Sequence, residues 1–512
     1  MKCREYAIRS AHTLQISCSE RRQGYMKLIK ERFRQFGESP YLIDPVDGSA
    51  LTYEQVYRRS LALSQAWVQK GIARYDRVAI FMDNEPEFIL CHYALLLIGA
   101  VAVPIQTSNR REEIQYILEL TEAKFVCVTD SKRWEALGLR WESLQVCCTE
   151  YATEGNAEAE AEDVELDEDD PVAILFTSGT TGRPKGVVMR YGAVLKDFYE
   201  YGGALAFGPQ TRIIQSMPIS HADGWCYSLL LPFLFGSSVI LTPSFDARVC
   251  GQFDRLLHEL HGNVLIAVPS MLTALLTMKF RYELPVAGYL HYVLCGSAKL
   301  HEELLKRFEH EFETRILENY GSTEALLIAY YTMQTPYKRG SVGKISPQCE
   351  VRLDEEGTII VRSPFLFKEY YKSAVLTAEV FDGTWFNTGD IGFVDEEGYL
   401  FLSDRKKKLI NKAGYKINPN EIDERLLELD CVVDAVTIGH EVNGEEQIYS
   451  FVQLSNSGLN VDMEPMMRHL QARLERVKWP KQIIPIPHIA RTAIGKVNTD
   501  ALIGLINAKS EG

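Results

Sequence analysis

The densest chemical signal in the 512-residue chain is TSGTTGRPKG, Thr177–Gly186, which follows the apolar run VAILF without a break. Its glycines let backbone approach an anion closely. Their amides, with the hydroxyls of Thr177, Ser178, Thr180 and Thr181, are donors for phosphate oxygens, and Lys185 adds a mobile positive charge. The run is not a Walker A loop, because Gly182 is followed by Arg-Pro-Lys rather than Lys and a hydroxyl residue. A surface turn is the other reading of such a composition. Three further places hold residues capable of chemistry. His221 sits in MPISHADG and Glu324 closes ENYGSTE, where a hard carboxylate ligand suits Mg²⁺ beside polyphosphate. Lys496 follows Gly495 near the end of the chain. Taken singly, these read equally well as a satisfied core histidine, a polar turn and an ordinary exposed lysine.

Taken together and in order, they resemble the motif series of the adenylate-forming superfamily: acyl-CoA synthetases, peptide-synthetase adenylation domains and beetle luciferases. The resemblance runs from about Thr52 to Val497 and implies a role for each match. Thr177, Ser178, Gly179, Thr180, Thr181, Gly182 and Lys185 would form the phosphate loop. His221, Ala222 and Asp223 would stand at the acyl pocket. CGSAKL would lie along adenine through Gly296, Ser297 and Ala298, with Ser297 where the family usually has a second glycine. In ENYGSTE, Asn319 and Tyr320 would hold and stack the adenine, followed by Gly321 and Ser322. Thr323 would touch the α-phosphate and Glu324 would bind Mg²⁺. WFNTGD offers Asp390, a lone carboxylate able to accept from both ribose hydroxyls. The basic run after Asp404, otherwise a nuclear signal or a solvated surface, would be a hinge. Arg405 would reach the ribose or phosphate, Lys407 would take the pivot position, and Gly414 would leave room for a substrate arm. Lys496 would enter the site and pair with carboxylate and α-phosphate oxygens, although Asn498, Thr499 and Asp500 replace the basic residues that usually follow it.

The implied reaction has two steps. ATP and Mg²⁺ convert a carboxylic acid to its adenylate, and a thiol then takes the acyl group. The thiol is that of CoA or of a carrier protein's phosphopantetheine, which the catalytic residues do not separate. The chain shows no extended insertion near the hinge of the kind found in fatty acyl-AMP ligases, so free CoA stays open as acceptor. A luciferase-like oxidation is a further use of the same site. A silent scaffold is the non-enzymatic reading, and loss of the lysine or the magnesium carboxylate would favour it; both are present. Amino-acid-activating members usually carry Asp directly after the aromatic of the acyl-pocket motif, where this chain has Ala222. Asp223, one later, reads either as a partner for a hydroxyl or amine on the acid or as a helix cap.

These residues need a scaffold of alternating strands and helices. Thr52 with Gln55 forms a capping box that opens a helix to about Lys70. RVAIFM, AVAVPI, FVCVT and VAILF read as strands, separated by helices from Pro86 and around Ile114–Leu120. The class is α/β: a large N-terminal domain of mixed, largely parallel sheets layered with helices, plus a small mobile C-terminal α+β domain. The boundary falls at 403/404. Beyond it Asn418 and Pro419 cap a helix, and VVDAVTIG and QIYSFVQL flank the turn Asn443-Gly444.

Composition narrows the class. The net charge of −14 argues against general affinity for nucleic acid. The acidic stretch 154–170 reads as a solvated loop. The uncharged stretch between Asp223 and Asp246 is interrupted by Pro232, Gly236, Ser237 and Ser238, so it reads as buried core rather than a membrane span. Eleven cysteines without a CxxC pair or zinc spacing fit reduced thiols in a cytoplasmic protein, with Cys147 and Cys148 buried or incidental. No signal peptide is evident in MKCREYAIRS.

Overall fold

The computed structural model describes residues 5–6, 25–139, 145–148, 164–177, 183–405, 410–412, 415–442, 445–455, 462–492 and 496–510. Two sheets carry the first part of the chain. One is a 6-stranded sheet in which Arg77–Phe81, Val101–Ile105, Phe125–Val128, Gln145–Cys148 and Pro171–Thr177 run parallel; Lys185–Arg190 closes its edge antiparallel. The other is a 15-stranded sheet. It is parallel from Pro40–Ile43 through Ser238–Leu241, Arg212–Gln215, Val264–Ala267 and Tyr292–Cys295 to Ile316–Ser322, and antiparallel beyond.

The helices between the strands follow the sequence signals. Thr52 caps Tyr53–Gln69, and both halves of its capping box with Gln55 are made. Helix Pro86–Ile98 is buried on every side from Phe88 onward, as its unbroken apolar sequence requires, and stops at Gly99 in the left-handed conformation. The uncharged stretch after Asp223 becomes the short helix Ala222–Trp225, a π-helical turn Cys226–Leu230 and helix Leu231–Phe235, then strand Ser238–Leu241. All of it is core, and no described helix is long and apolar enough to cross a membrane.

The acidic stretch is described only from residue 164, and there it is more than solvated loop. Asp170 bridges to Arg74 at 3.0 Å, Asp169 to Arg190 at 2.8 Å and Glu168 to Lys196 at 2.6 Å. It ties the two ends of the phosphate-loop hairpin to their neighbours. Cys147 and Cys148 lie in a described strand, but their side chains fall outside the described residues.

From Ile410 the chain builds separate cores. Strands Val432–Val442, Glu445–Leu454 and Gln482–Ile486 form a sheet. Its one face packs on helices Pro419–Leu427 and Glu464–Gln471, and its other on Thr499–Ser510. Asn418 caps the first of these helices through the Asn420 amide, with Pro419 as its opening residue. The turn Asn443-Gly444 lies outside the described residues.

Candidate active site

The site assembles from strand ends. Thr177 and Lys185 face each other at the open end of the hairpin Pro171–Thr177/Lys185–Arg190. Ser178, Gly179, Thr180, Thr181 and Gly182, which join them, lie outside the described residues. Lys185 Nζ sits 4.8 Å from the centre of the Tyr370 ring, and the Tyr370 hydroxyl donates to Glu324 Oε1 at 2.9 Å. Burial and the Glu324 charge push the Tyr370 pKa upward, so its proton stays in that bond. The Phe367 amide donates to the Glu324 carbonyl at 2.7 Å and fixes the turn.

Tyr370 is a site residue that sequence reading missed. Its only sequence signal is an aromatic pair after the apolar run PFLF, and its importance comes from packing across distant segments.

ENYGSTE is the end of strand Ile316–Ser322 and its turn into Leu326–Tyr330. The bulge at Tyr320/Gly321 brings the two backbones so close that a Cβ on Gly321 would lie 1.9 Å from the Leu326 carbonyl oxygen. Thr323 is buried there beside Glu324. The Tyr320 hydroxyl donates to Asp390 Oδ2 at 2.8 Å, and both residues are 8% exposed. Asp390 stands opposite Arg405 across the antiparallel pair Trp385–Val394 and Tyr399–Arg405, which places the two expected ribose residues in register. The Arg405 side chain, Lys407 and Gly414 lie outside the described residues.

On the other side, Gly296 approaches Asn319 so closely that a Cβ would meet its Oδ1 at 2.6 Å. This joins the expected adenine loop to the expected adenine residue. Ser297 takes φ +64°, and the Ala298 amide turns back to the Gly296 carbonyl at 2.8 Å. The family's glycine suits that left-handed turn; serine holds it at a cost of about 1 kcal/mol or more. A hydrogen bond offsets the cost, since Ser297 Oγ donates to Asp223 Oδ2.

Asp223 is therefore not the helix cap that sequence left open. His221 caps Ala222–Trp225, with Nδ1 accepting from the Asp223 amide at 3.4 Å. Asp223, in the first turn, is free to point its carboxylate across to Ser297. Burial lowers the His221 pKa; the Asp223 carboxylate opposes the shift and the Lys496 ammonium adds to it.

Lys496 is exposed, and its charge is among those that act on His221. The expected residues thus fall into two linked groups, which meet at strand Ile316–Ser322 and its turn. Tyr370 joins Lys185 to Glu324, while Asp390 meets Tyr320, whose neighbour Asn319 lies against Gly296, next to the Ser297–Asp223–His221 contacts. Such an arrangement can hold a nucleotide by its base, ribose and phosphates, with a cation brought to the reacting end.

Comparison with known proteins gives the class. A family model described as "AMP-binding enzyme" matches residues 29–371. The chain is 30% identical to 2-succinylbenzoate–CoA ligase of Bacillus mycoides, over 88% of this chain and 93% of that one. It is 27% identical to indoleacetate–CoA ligase of Aromatoleum aromaticum, over 90% and 94%. The solved structure of O-succinylbenzoate coenzyme A synthetase from Bacillus subtilis, in complex with ATP and magnesium ion, shares its fold. There the TM-score is 0.79 and the identity 24%, over 93% of this chain and 99% of that one.

The chain belongs to the family of AMP-binding enzymes. It is an ATP-dependent, AMP-forming acid–thiol ligase, which activates a carboxylic acid as acyl-AMP with release of pyrophosphate and passes the acyl group to a thiol.

Proposed function

We propose that the accepting thiol is that of coenzyme A, and that residues 1–403 and 404–512 act as a large and a small mobile domain around the site described above. The gathering of the expected residues around strand Ile316–Ser322 and its turn into Leu326–Tyr330 supports this reading. The curated relatives, which match nearly end to end, are CoA ligases and support CoA over a carrier protein.

In the first step the acid's carboxylate attacks the α-phosphorus in line, and the bond to pyrophosphate breaks. Lys496 and Thr323 hold the oxygens where negative charge develops, while Lys185 and the residues of 177–182 hold the departing phosphates. Asn319 and Tyr320 fix the base, and Asp390 the ribose. Glu324 fits a magnesium site: its carboxylate is a hard donor, and among the described residues only its Oε1 is engaged, by Tyr370. Mg²⁺ held by Glu324 would supply positive charge to offset that of the polyphosphate.

In the second step the thiol sulfur attacks the acyl carbon, the bond to AMP breaks, and the thiol proton leaves to solvent. Rotation about Lys407 would withdraw Lys496 between the steps and bring Gly414 toward the pantetheine arm.

Asp223 narrows the acid. A carboxylate at the start of the His221 helix disfavours a second anionic group nearby and favours an uncharged acyl group or one offering a hydroxyl or amine.

The test is carboxylate-dependent pyrophosphate release over aryl, short-chain, long-chain, dicarboxylic and amino acids, with and without CoA. Rapid turnover of one acid only when CoA is present supports the proposal. Turnover indifferent to CoA but accelerated by a phosphopantetheinyl carrier protein would replace CoA as acceptor. Silence over the whole panel would contradict the proposal.

A further inference from the structure

The segment just past the adenine loop touches the C-terminal residues that carry Lys496. There Lys299 Nζ reaches Glu424 Oε1 at 2.7 Å, a pair 125 residues apart in sequence. Glu424 stands on helix Pro419–Leu427, whose core belongs to the C-terminal residues. His301 opens helix Glu302–Phe312 beside this contact. Its pKa is pushed down to about 4, first by burial and then by Lys299. The charges of Glu424 and Asp434 oppose the shift, and Arg491 adds to it. A second charged pair stands among the C-terminal residues: Arg491 Nη2 grips Asp434 at 2.8 and 3.0 Å.

The link continues to Lys496. Arg491 forms an antiparallel bridge with Val497, and the Thr492 amide donates to the Lys496 carbonyl at 2.7 Å. The Lys299–Glu424 contact thus engages the same packed unit that carries Lys496: the Glu424 helix packs on strand Val432–Val442, whose Asp434 is held by Arg491, and Arg491 is bridged to Val497.

We propose that Lys299 and Glu424 form a latch that holds the C-terminal residues in the orientation presenting Lys496, making both positioning residues for adenylate formation and not for thiol transfer. The proposal rests on the two-step reading of Lys496 given above. The two side chains are 38% and 48% exposed, so solvent screens the pair and its effect is modest. Removing either partner should slow adenylate formation two- to fivefold, or about 0.4–1 kcal/mol. Reversing one charge should slow it further, because Lys299→Glu sets a second carboxylate against Glu424.

The experiment measures the half-reactions separately on the full-length enzyme. Single-turnover pyrophosphate release reports the first, and thioester formation from supplied acyl-adenylate and CoA reports the second. Lys299→Ala and Glu424→Ala should each slow only the first step, and the double variant should be no slower than either. Lys299→Glu with Glu424→Lys should recover most of what Lys299→Glu loses, which also shows that the loss is not misfolding. Additive effects, equal loss in both steps, an effect of Lys299→Ala without one of Glu424→Ala, or no rescue would overturn the latch. Lys496→Ala run alongside separates the two readings. If it abolishes adenylate formation while the latch variants behave as wild type, the latch alone fails. If it leaves adenylate formation intact, the reading of the site fails.

Discussion

The Tyr320–Asp390 contact offers a quantitative test of the nucleotide site. Tyr320→Phe removes one oxygen and leaves the ring in place. The Asp390 carboxylate, 8% exposed, then loses a donor held at 2.8 Å. A hydrogen bond to a charged group contributes about 1.5–3 kcal/mol, and the sparse exposure gives water little access to replace it. With about 1.4 kcal/mol per tenfold, the lower bound predicts roughly a tenfold weaker Kd for AMP, because the freed carboxylate no longer faces the ribose in a fixed orientation. The same loss should lower Tm by a few degrees. Calorimetric titration with AMP, using no acid or CoA, isolates this term. An unchanged Kd together with an unchanged Tm would refute the claim that the hydroxyl positions Asp390, and with it the ribose assignment.

Two further predictions test electrostatics and selectivity. Burial pushes the Glu318 pKa up to about 8, with Lys299 opposing and Glu309 reinforcing. Between about pH 4.5 and 8 the folded chain keeps a proton there that the unfolded chain releases, so this group costs stability as pH rises through that window. Glu318→Gln should flatten that part of the stability profile and raise Tm at pH 8 relative to wild type; identical profiles would mean that Glu318 ionises normally. Asp223→Ala should relax the discrimination against dicarboxylic acids severalfold in kcat/KM, and Ser297→Gly should keep the discrimination while easing the turn. A uniform loss over all acids in Asp223→Ala would assign the carboxylate to packing instead.

Local features were legible in the sequence because local chemistry dictates them. The capping box at Thr52 and Gln55, the Asn418-Pro419 helix start and the apolar strand before Thr177 depend on neighbours a few residues away, and all three form. The continuous apolar run from Phe88 marks a buried helix for the same reason. Residues whose roles arise across space were not legible. Tyr370 matters because one side chain meets Lys185 at a strand start and Glu324 in a turn far away in sequence, and no spacing encodes that meeting. Asp223 looked equally like a cap or a pocket residue until His221 took the cap. The π-helical turn Cys226–Leu230 leaves no mark in an apolar sequence. The contact of Lys299 with Glu424 joins two ordinary surface charges, visible only once the C-terminal residues are folded against the adenine loop.

The central claim is that one site serves two chemistries and that Lys496 belongs only to the first. Lys496→Ala, followed through both half-reactions with the acid found in the pyrophosphate screen, tests it most directly. The Lys496 charge acts on His221, and the proposed first step uses it where negative charge develops at the α-phosphate. Pyrophosphate release should therefore fall by at least a hundredfold, while thioester formation from supplied acyl-adenylate and CoA stays within about twofold of wild type. Full first-step activity, or an equal loss in both steps, would contradict the account.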